Sequence, residues 1–297
     1  MLKSNILFII NPISGGKQKQ KIPALIDAYL DRSKFNANFS FTSYIGHAAE
    51  IAEEAASKNF DIIVAVGGDG TINEIASKVL GQEKILGIIP FGSGNGLARA
   101  LNIPLNAKKA IKVINAFKVE TIDAATLNGK YFFNMAGIGF DAHVSAAFVG
   151  NKTRGLKGYI ELGLKEIKSY ASQTYDISID GVNYKKNAFI LSIANSSQYG
   201  NDVHISPQST LNDGLLEVCI VKPMAWYRLP ILAYQMLRSK THQSKWVEII
   251  SGKRISIVRA KEGAIHIDGE PFFMGSTIEI VIIPAALKVI TANKNFK

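Results

Sequence analysis

The segment from Asp61 to Val79 constrains the fold of this chain more than any other part of the sequence. An apolar run rich in β-branched residues ends in Gly67-Gly68-Asp69-Gly70-Thr71, and a helical period of apolar residues follows. This pattern predicts a buried strand, a tight glycine turn and then a helix. Glycines let a ligand approach the backbone closely, and the start of a helix offers unpaired N–H groups to phosphate.

Asp69 lies inside this predicted loop, where its negative charge would repel a phosphate. A bound metal ion, or a substrate proton that has to be removed, would account for a carboxylate here, and both indicate phosphoryl transfer. The simpler alternative is a tight turn in which Asp69 or Thr71 caps the next helix. The loop matches neither the common phosphate loop nor the dinucleotide fingerprint, and the protein-kinase motifs are missing.

The first 124 residues alternate predicted strands with predicted helices. The strands are 6–10, 38–42, 62–67 and 85–89, and the helices are 22–29, 47–57 and 72–79. This alternation predicts a three-layer α/β domain with a parallel sheet between helices. Glycine-bearing loops at 11–16, 67–71 and 92–96 each follow a strand, and ligands of such sheets bind at the carboxyl ends of strands. We therefore expect the three loops to share one cleft.

Short strands and turns dominate from residue 125 to residue 284. Asn128-Gly129 and Asp180-Gly181 are typical hairpin turns between alternating apolar runs. The pattern predicts an antiparallel β-sandwich, interrupted by helices at 156–172 and 228–237. We expect residues 285–297 to pack back on the first domain.

The chain of 297 residues has a formal net charge of +10, which suits a nucleotide, a nucleic acid or an acidic membrane surface. Its single cysteine, Cys219, lies in an apolar run, which excludes an intramolecular disulfide and predicts a buried structural thiol. The first apolar run is too short for a signal sequence, and no apolar stretch approaches the roughly 20 residues of a membrane span. We expect a cytoplasmic protein.

Several motifs accompany the first glycine loop, and together they resemble the diacylglycerol kinase and sphingosine kinase catalytic-domain family. In chain order they are Asn11-Pro12-x-Ser14-Gly15, Gly67-Gly68-Asp69-Gly70-Thr71 with Asn73-Glu74, Pro90-x-Gly92-Ser93-Gly94-Asn95-x-x-Ala98-Arg99, Asn134-x-x-Gly137-Ile138-Gly139-Phe140-Asp141-Ala142, Ser206-Pro207, Leu211-Asn212-Asp213-Gly214-Leu215-Leu216 and Ile267-Asp268-Gly269-Glu270. The resemblance implies a bacterial-type lipid kinase in which an NAD-kinase-like nucleotide domain faces a β-sandwich. ATP and a lipid such as diacylglycerol or a sphingoid base would meet between them.

The resemblance also implies which residues bind the nucleotide. They are Thr42, Gly67, Gly68, Asp69, Gly70, Thr71, Ile72, Asn73 and Ser93, to which the short polar side chain of Asn11 is added as a phosphate neighbour. Asp69 would hold Mg²⁺ on the ATP phosphates.

Two further sites follow from the resemblance. Glu270 matches the proposed general base that takes the proton of the lipid hydroxyl, with Asp69 as its rival and an ordinary hairpin-turn acid as the alternative. Asp213, with Thr210 and Leu215, matches a spacing that holds a second, structural Mg²⁺, although a plain Asn-Asp-Gly turn is the alternative.

The second glycine loop departs from the diacylglycerol kinase pattern Gly-Thr-x-Asn-Asp, because it contains Gly92-Ser93-Gly94-Asn95-Gly96. This departure weakens the assignment of diacylglycerol as the lipid acceptor. An NAD kinase remains an alternative, although its Gly-Ser-Thr-Ala-Tyr stretch is missing. The second alternative is a catalytically silent lipid-binding or regulatory module with the same fold.

Basic residues cluster in the second domain beside aromatic ones. They are Lys152, Arg154, Lys157, Lys165 and Lys168, and later Arg228, Arg238, Lys240 and Lys245 near Trp226, Tyr227 and Trp246. This combination favours peripheral contact with an anionic membrane, and solvated helix faces are the alternative. The five histidines have no metal-ligand spacing. The charge matches no nucleic-acid reader motif, so we expect no nucleic acid partner. The oligomeric state is open between a monomer and a homodimer.

Overall fold

The chain divides into two compact units, each with its own hydrophobic core. The first contains Met1–Ile122 and Ala285–Lys297, and the second contains Asp123–Pro284. The computed structural model of the protein describes residues 3–14, 21–148 and 155–293. Gly15, Gly16, Lys152 and Arg154 lie outside the described residues.

The first unit is an α/β unit in which strands and helices alternate. Its elements are β1 (Ser4–Ile10), α1 (Ile22–Tyr29), β2 (Phe35–Phe41), α2 (His47–Ser57), β3 (Ile62–Gly67), α3 (Asp69–Val79), β4 (Ile85–Pro90), α4 (Gly96–Ala100) and α5 (Ala107–Ala116). The strands pair in parallel in the order β2-β1-β3-β4. Every residue of β3 is buried, as expected for the centre of a parallel sheet with helices on both faces.

The second unit is built mainly from antiparallel strands. Its elements, including two strands that begin or end in the first unit, are β5 (Val119–Leu127), β6 (Lys130–Phe132), β7 (Met135–Gly139), α6 (Phe140–Phe148), α7 (Gly155–Glu166), β8 (Gln173–Ile179), β9 (Val182–Ala188), β10 (Ile190–Ala194), β11 (Leu216–Val221), α8 (Leu229–Leu237), β12 (Val247–Gly252), β13 (Arg254–Arg259), β14 (Gly263–Ile267), β15 (Glu270–Met274) and β16 (Thr277–Ile290). Two 3₁₀ turns, Trp226–Arg228 and Thr241–Gln243, flank α8.

Two sheets pack face to face in the second unit, which confirms the predicted antiparallel sandwich. One sheet has the order β12-β11-β10-β7-β14-β15, and the other contains β16-β13-β8-β9. Strand β11 shows how the layers form: Leu216, Val218 and Ile220 face the core between the sheets, whereas Cys219 and Val221 face a second core beneath the helices. The six-stranded sheet is therefore covered on both faces.

Residues after Pro284 belong to the first unit. There, Lys288 and Val289 of β16 pair in parallel with Ile85 and Leu86 of β4. Within the described residues, no helix is both long enough and apolar enough to cross a bilayer.

Several element boundaries differ from the prediction. The helix predicted at 156–172 ends at Glu166, and a turn follows in which the N–H of Ser169 donates to the Glu166 carbonyl at 3.1 Å. The largely apolar run 131–135 after the Asn128-Gly129 turn, which reads as one strand, is split between β6 and β7. Elements α5, α6, β12 and β15 were not predicted from the sequence.

Candidate functional site

The glycine loops of the first unit lie at the carboxyl ends of neighbouring strands. The N–H of Phe91 donates to the Gly67 carbonyl at 2.7 Å, and the N–H of Asn11 donates to the Val66 carbonyl at 3.0 Å. These bonds continue the ladders past the ends of β4 and β1. The predicted clustering of the three loops is observed for their described residues.

Two of the loops touch backbone to backbone at Gly68 and Gly92. A Cβ at Gly92 would lie 2.7 Å from the Cα of Gly68 and 2.8 Å from the Oδ1 of Asn95. Asn95 closes the second loop, since its side chain accepts from the Gly92 N–H at 2.7 Å and donates to the Gly92 carbonyl at 2.8 Å. Only glycine leaves room for this contact.

Asp69 joins the same two loops through its carboxylate. Its Oδ2 accepts from the N–H of Asn95 and its Oδ1 accepts from the N–H of Gly96, both at 2.8 Å. Hydrogen bonds to an ionised acceptor are stronger than those between neutral groups. The Asp69 carboxylate thus has a structural role that was not predicted from the sequence. It fixes the second glycine loop against the first.

Asn11, Thr42 and Thr71 lie together at this edge of the sheet. The Asn11 side-chain amide donates to the Thr71 hydroxyl at 3.0 Å, and the Thr71 side chain is buried. Thr42 is also buried, and its N–H donates to the Ile10 carbonyl at 3.0 Å. The Asn11–Thr71 bond therefore joins the loop after β1 to the start of α3, and the N–H of Thr42 continues the pairing of β2 with β1.

The other predicted nucleotide residues differ in what they present. The Ile72 side chain is buried, so only its backbone could contact a ligand. Asn73 and Gly70 are half-buried on the first turn of α3, and the hydroxyl of Ser77 donates to Asn73 Oδ1 at 3.4 Å. Ser93 is exposed at the tip of the second loop.

Asp69 fits the donor set that Mg²⁺ requires. An ionised carboxylate has about four acceptor positions, so one carboxylate can accept N–H groups and bind a cation together. Within the described residues there is no cluster of three or more His, Cys, Asp or Glu side chains that could hold a metal alone. Mg²⁺ commonly binds through one or two carboxylates together with substrate phosphates. A single carboxylate at a glycine loop, as Asp69 is here, matches the protein part of that arrangement.

Glu270 in the second unit directly follows a two-residue hairpin turn. Asp268 and Gly269 connect β14 to β15 with φ of 47° and 89°, as in a turn that has positive φ at both central positions. Glu270 is exposed and opposes Ile267 across the hairpin. The prediction that it follows a tight turn is confirmed, and its role as a base stays a prediction.

The carboxylate of Asp268 anchors this turn. Its oxygens accept from the N–H groups of Phe133, Asn134 and Met135 at 3.0, 2.9 and 3.0 Å. Three donors on one carboxylate hold the hairpin firmly to the start of β7. Glu270 therefore extends from a rigid support.

A buried polar cluster, which the sequence analysis missed, lies behind the same hairpin. It consists of Asp141, His266, Ser192 and Tyr199. The last three all contact the same atom, Asp141 Oδ2, through His266 Nε2 at 3.2 Å, Ser192 Oγ at 3.2 Å and the Tyr199 hydroxyl at 3.0 Å. Burial, with a smaller contribution from the Asp141 charge, raises the pKa of Tyr199 well above its usual value, so the phenol stays a donor.

The cluster is packed tightly and is tied to the Glu270 turn. A Cβ at Gly137 would lie 2.2 Å from His266 Nε2, so this position needs glycine. Ser145, on the helix that carries Asp141, donates its hydroxyl to the Gly269 carbonyl at 2.9 Å. His266 is thus a buried structural partner of Asp141, although histidine spacing predicted no role for it.

The predicted second metal site is a hydrogen-bonded turn. Asp213 Oδ2 accepts from the Thr210 hydroxyl at 2.7 Å, and its Oδ1 accepts from the Leu215 N–H at 3.0 Å. Next to it, Glu217 is buried, and burial raises the pKa of its carboxyl. The three residues are brought together as predicted, and these two bonds are those of a self-contained turn. Binding of Mg²⁺ at Asp213 stays a prediction.

Comparison with known proteins places both units in one family. Residues 5–127 match the diacylglycerol kinase catalytic domain, and residues 134–291 match the YegS C-terminal NAD kinase beta sandwich-like domain. The chain is 29% identical over 269 residues to a diacylglycerol kinase of Bacillus subtilis (strain 168), covering 88% of each chain. It is 30% identical over 252 residues to a probable YegS-like lipid kinase of Cronobacter sakazakii, covering 82% of each.

Solved structures agree with these matches. A putative diacylglycerol kinase from Bacillus anthracis str. Sterne superposes with a TM-score of 0.79 at 25% identity, covering 97% of this chain and 95% of that one. An NAD kinase from Archaeoglobus fulgidus has a TM-score of 0.55 at 14% identity, covering 98% and 95%, which shows a shared fold alone. The chain belongs to the lipid kinase family in which a diacylglycerol kinase catalytic domain is followed by a YegS C-terminal NAD kinase beta sandwich-like domain.

Proposed function

We propose that this protein is an ATP- and Mg²⁺-dependent lipid kinase that transfers the γ-phosphate of ATP to a lipid hydroxyl, as in diacylglycerol or a sphingoid base. The observation that carries the proposal is the pair of glycine loops that Asp69 joins at the carboxyl ends of β3 and β4. Such loops offer backbone N–H groups to phosphates. The relatives named diacylglycerol kinase and probable lipid kinase support a lipid acceptor.

The nucleotide is assigned to the first unit. We assign the triphosphate to the backbone of residues 67–73 and to Ser93, with Asn11 and Thr42 at the same edge of the sheet. Asp69 is assigned as the Mg²⁺ ligand. When bound, this ion neutralises charge on the phosphate oxygens during transfer.

Glu270 is assigned as the general base that accepts the proton of the lipid hydroxyl. An exposed carboxylate on an anchored turn can reach a substrate without rearranging its support. Asp69 is less suited to this role, because its two oxygens already accept the N–H groups of Asn95 and Gly96. Its charge is better used to hold the loops and the cation.

The test is transfer of labelled γ-phosphate from ATP to diacylglycerol, monoacylglycerol, ceramide and sphingoid bases in detergent micelles, with NAD as the competing acceptor. We expect label in at least one lipid and none in NAD. Label in NAD alone would replace the proposal with an NAD kinase, and no transfer to any acceptor would favour a catalytically silent module.

Two variants test the assigned roles. We expect Glu270→Gln to lower turnover by about 10²–10⁴-fold with Mg-ATP affinity nearly intact, and Asp69→Asn to weaken Mg-ATP affinity as well as turnover. Glu262→Gln is the matched control, since Glu262 is an exposed acid at the other end of β14. A Glu270→Gln protein with the full rate would show that the base has been misassigned.

A further inference from the structure

Helix α8 is almost entirely apolar, with Gln235 as its one amide, although half of it faces solvent. Its nine residues, Leu229–Leu237, include no charged side chain. Leu232 and Met236 point into the core beneath the six-stranded sheet. On the opposite side Ile231, Tyr234 and Leu237 are 50%, 62% and 56% exposed. A surface helix normally turns charged or polar side chains to solvent, so an apolar exposed side is normally covered by another apolar surface.

The exposed side of α8 continues into the preceding 3₁₀ turn. Trp226 and Tyr227 are 62% and 61% exposed, and their rings meet edge to face with centroids 6.2 Å apart. We call these five exposed residues (Trp226, Tyr227, Ile231, Tyr234 and Leu237) the α8 face. Contiguous exposed apolar groups of this kind mark a site of interaction with a protein or a membrane.

Cations lie beside the aromatic rings of the α8 face, and acids are missing from its stretch of sequence. Between Glu217 and Glu248 the chain has no Asp or Glu, yet it contains Arg228, Arg238, Lys240 and Lys245 besides Lys222, which pairs with Glu248 at 3.6 Å. The Arg228 guanidinium lies 5.7 Å from the centre of the Tyr227 ring. From the end of α7, the Lys168 ammonium lies 5.9 Å from the centre of the Trp226 ring. The rim of the face is therefore positive.

A bilayer that contains anionic lipids matches both properties. Trp and Tyr rings favour the boundary between headgroups and acyl chains, and Lys and Arg side chains place their apolar stems along that boundary with the charge at the phosphates. At nine residues α8 is about 13 Å long. It is too short to span a bilayer, so it would lie in the plane of the headgroups.

We propose that the α8 face is the surface through which this protein binds an anionic membrane. Its use for catalysis depends on the proposed lipid kinase function, whereas the binding itself requires neither ATP nor turnover. Of the basic residues singled out on the sequence, Lys165 and Lys168 are exposed near the end of α7 and add to the positive charge of this unit.

Tryptophan fluorescence tests which part of the protein enters the bilayer. The chain has two tryptophans, so Trp246→Phe leaves Trp226 as the only one. Vesicles of phosphatidylcholine with about one-third phosphatidylglycerol should shift the Trp226 emission to shorter wavelength, and acyl chains brominated near the headgroup should quench it. Pure phosphatidylcholine vesicles are the lipid control. If the protein sediments with the vesicles but the Trp226 emission does not change, the proposal is wrong.

Vesicle co-sedimentation then separates the apolar and charged contributions. We expect Ile231→Ser with Leu237→Ser to weaken partitioning at least about 10-fold, because two side chains lose apolar burial. Arg228→Gln with Arg238→Gln should weaken it about fivefold for each cation, and added salt should reduce that difference. All four side chains are exposed, so the variants should fold as wild type does.

The matched controls come from β9 of the same unit. Val182 is 55% exposed and Lys185 is exposed, so Val182→Ser and Lys185→Gln remove one apolar and one basic surface group away from α8. Both should leave partitioning unchanged. Equal binding by the α8 variants and these controls would refute the proposal. So would a concentration-dependent dimer that the Ile231/Leu237 variant abolishes, because a second copy would then cover the face.

The outcomes for membrane binding and for catalysis are separable. A lipid acceptor short enough to dissolve as monomers should be phosphorylated equally by wild type and by the α8 variants. If wild type binds vesicles through α8 but phosphorylates no lipid, the proposed function fails and the membrane surface stands. If it phosphorylates lipids but the α8 variants bind vesicles normally, the membrane surface fails alone.

Discussion

Replacing Asp69 with Asn should destabilise the first unit even without ATP and Mg²⁺. The carboxylate accepts the N–H groups of Asn95 and Gly96, each at 2.8 Å, and so connects the two glycine loops. Asn has the same shape but only one acceptor oxygen, and its NH₂ group would face one of the N–H donors. A residue that served only to hold Mg²⁺ would show no such cost in the metal-free protein.

The magnitude follows from the bonds that are lost. A hydrogen bond to a charged group contributes about 1.5–3 kcal/mol, and an unmatched donor adds a further cost. With one bond retained in neutral form and the site half-buried, we expect Asp69→Asn to lower the local unfolding free energy by about 2–3 kcal/mol. That corresponds to amide exchange about 30- to 150-fold faster in the second loop.

Hydrogen–deuterium exchange of the peptide that covers residues 91–99 measures this effect directly. Tryptophan fluorescence is less suitable, because Trp226 and Trp246 belong to the second unit. The exchange should be followed in chelator and again with saturating Mg-ATP. We expect Asp69→Asn to lose protection in both conditions, and wild type to gain further protection with the nucleotide.

Asp61→Asn is the matched control for this substitution. Asp61 is an exposed aspartate that accepts the Asn5 N–H at 2.8 Å, so it has the same type of bond at a solvated site. Its replacement should cost less than about 1 kcal/mol and leave residues 91–99 unaffected. Equal exchange of the second loop in wild type and Asp69→Asn without metal would refute the structural role of Asp69.

Three further perturbations test other parts of the structure. Gly137→Ala should lower the stability of the second unit by about 1–3 kcal/mol or more, measured by urea unfolding monitored by tryptophan fluorescence, because its Cβ would lie 2.2 Å from His266 Nε2. Gly92→Ala should weaken ATP binding measured by calorimetry at least about 10-fold, because its Cβ would lie 2.7 Å from the Gly68 Cα and force the loops apart. Burial raises the pKa of the Cys219 thiol to about 12, so the folded protein should resist a thiol reagent at pH 8 and react once urea unfolds it.

Gly163→Ala is the control for both glycine substitutions. Gly163 lies in α7, and an added Cβ there would meet nothing within 4 Å, so alanine should be neutral or stabilising by about 0.5–1 kcal/mol. Wild-type stability of Gly137→Ala would contradict the packing of the buried cluster. Normal ATP affinity of Gly92→Ala would contradict the role of the loop contact, and rapid labelling of native Cys219 would contradict its burial.

Local patterns predicted the first unit well. The bounds of α1 and α2 were predicted as observed, and the glycine loops were placed correctly, because short strands and amphipathic helices leave periodic signals over a few residues. Helix α5 was missed even though Asn106 accepts the Lys109 N–H at 3.1 Å, a normal N-terminal cap. In this case the sequence contained the signal.

The second unit was predicted less completely, because its buried polar cluster depends on partners far apart in the chain. His266 and Asp141 are separated by 125 positions, and no local period relates them. Strand β15 begins Glu270-Pro271, and proline argues against a central strand. The observed β15 is an edge strand, where proline is tolerated. Both omissions arise from tertiary context that spacing cannot supply.

Each unit uses an aspartate carboxylate to bind backbone N–H groups from a distant part of the chain. Asp69 accepts two N–H groups from the second glycine loop, and Asp268 accepts three from residues 133–135. Loss of activity in an Asp69 variant would therefore mix loss of the proposed metal ligand with a displaced loop, and an Asp268 variant would displace Glu270 without removing it. Glu270→Gln replaces a basic carboxylate with a neutral amide. Because Glu270 is exposed and lies after the turn, the substitution leaves the Asp268 anchor in place. Its kinetics therefore report on chemistry more directly than those of either aspartate.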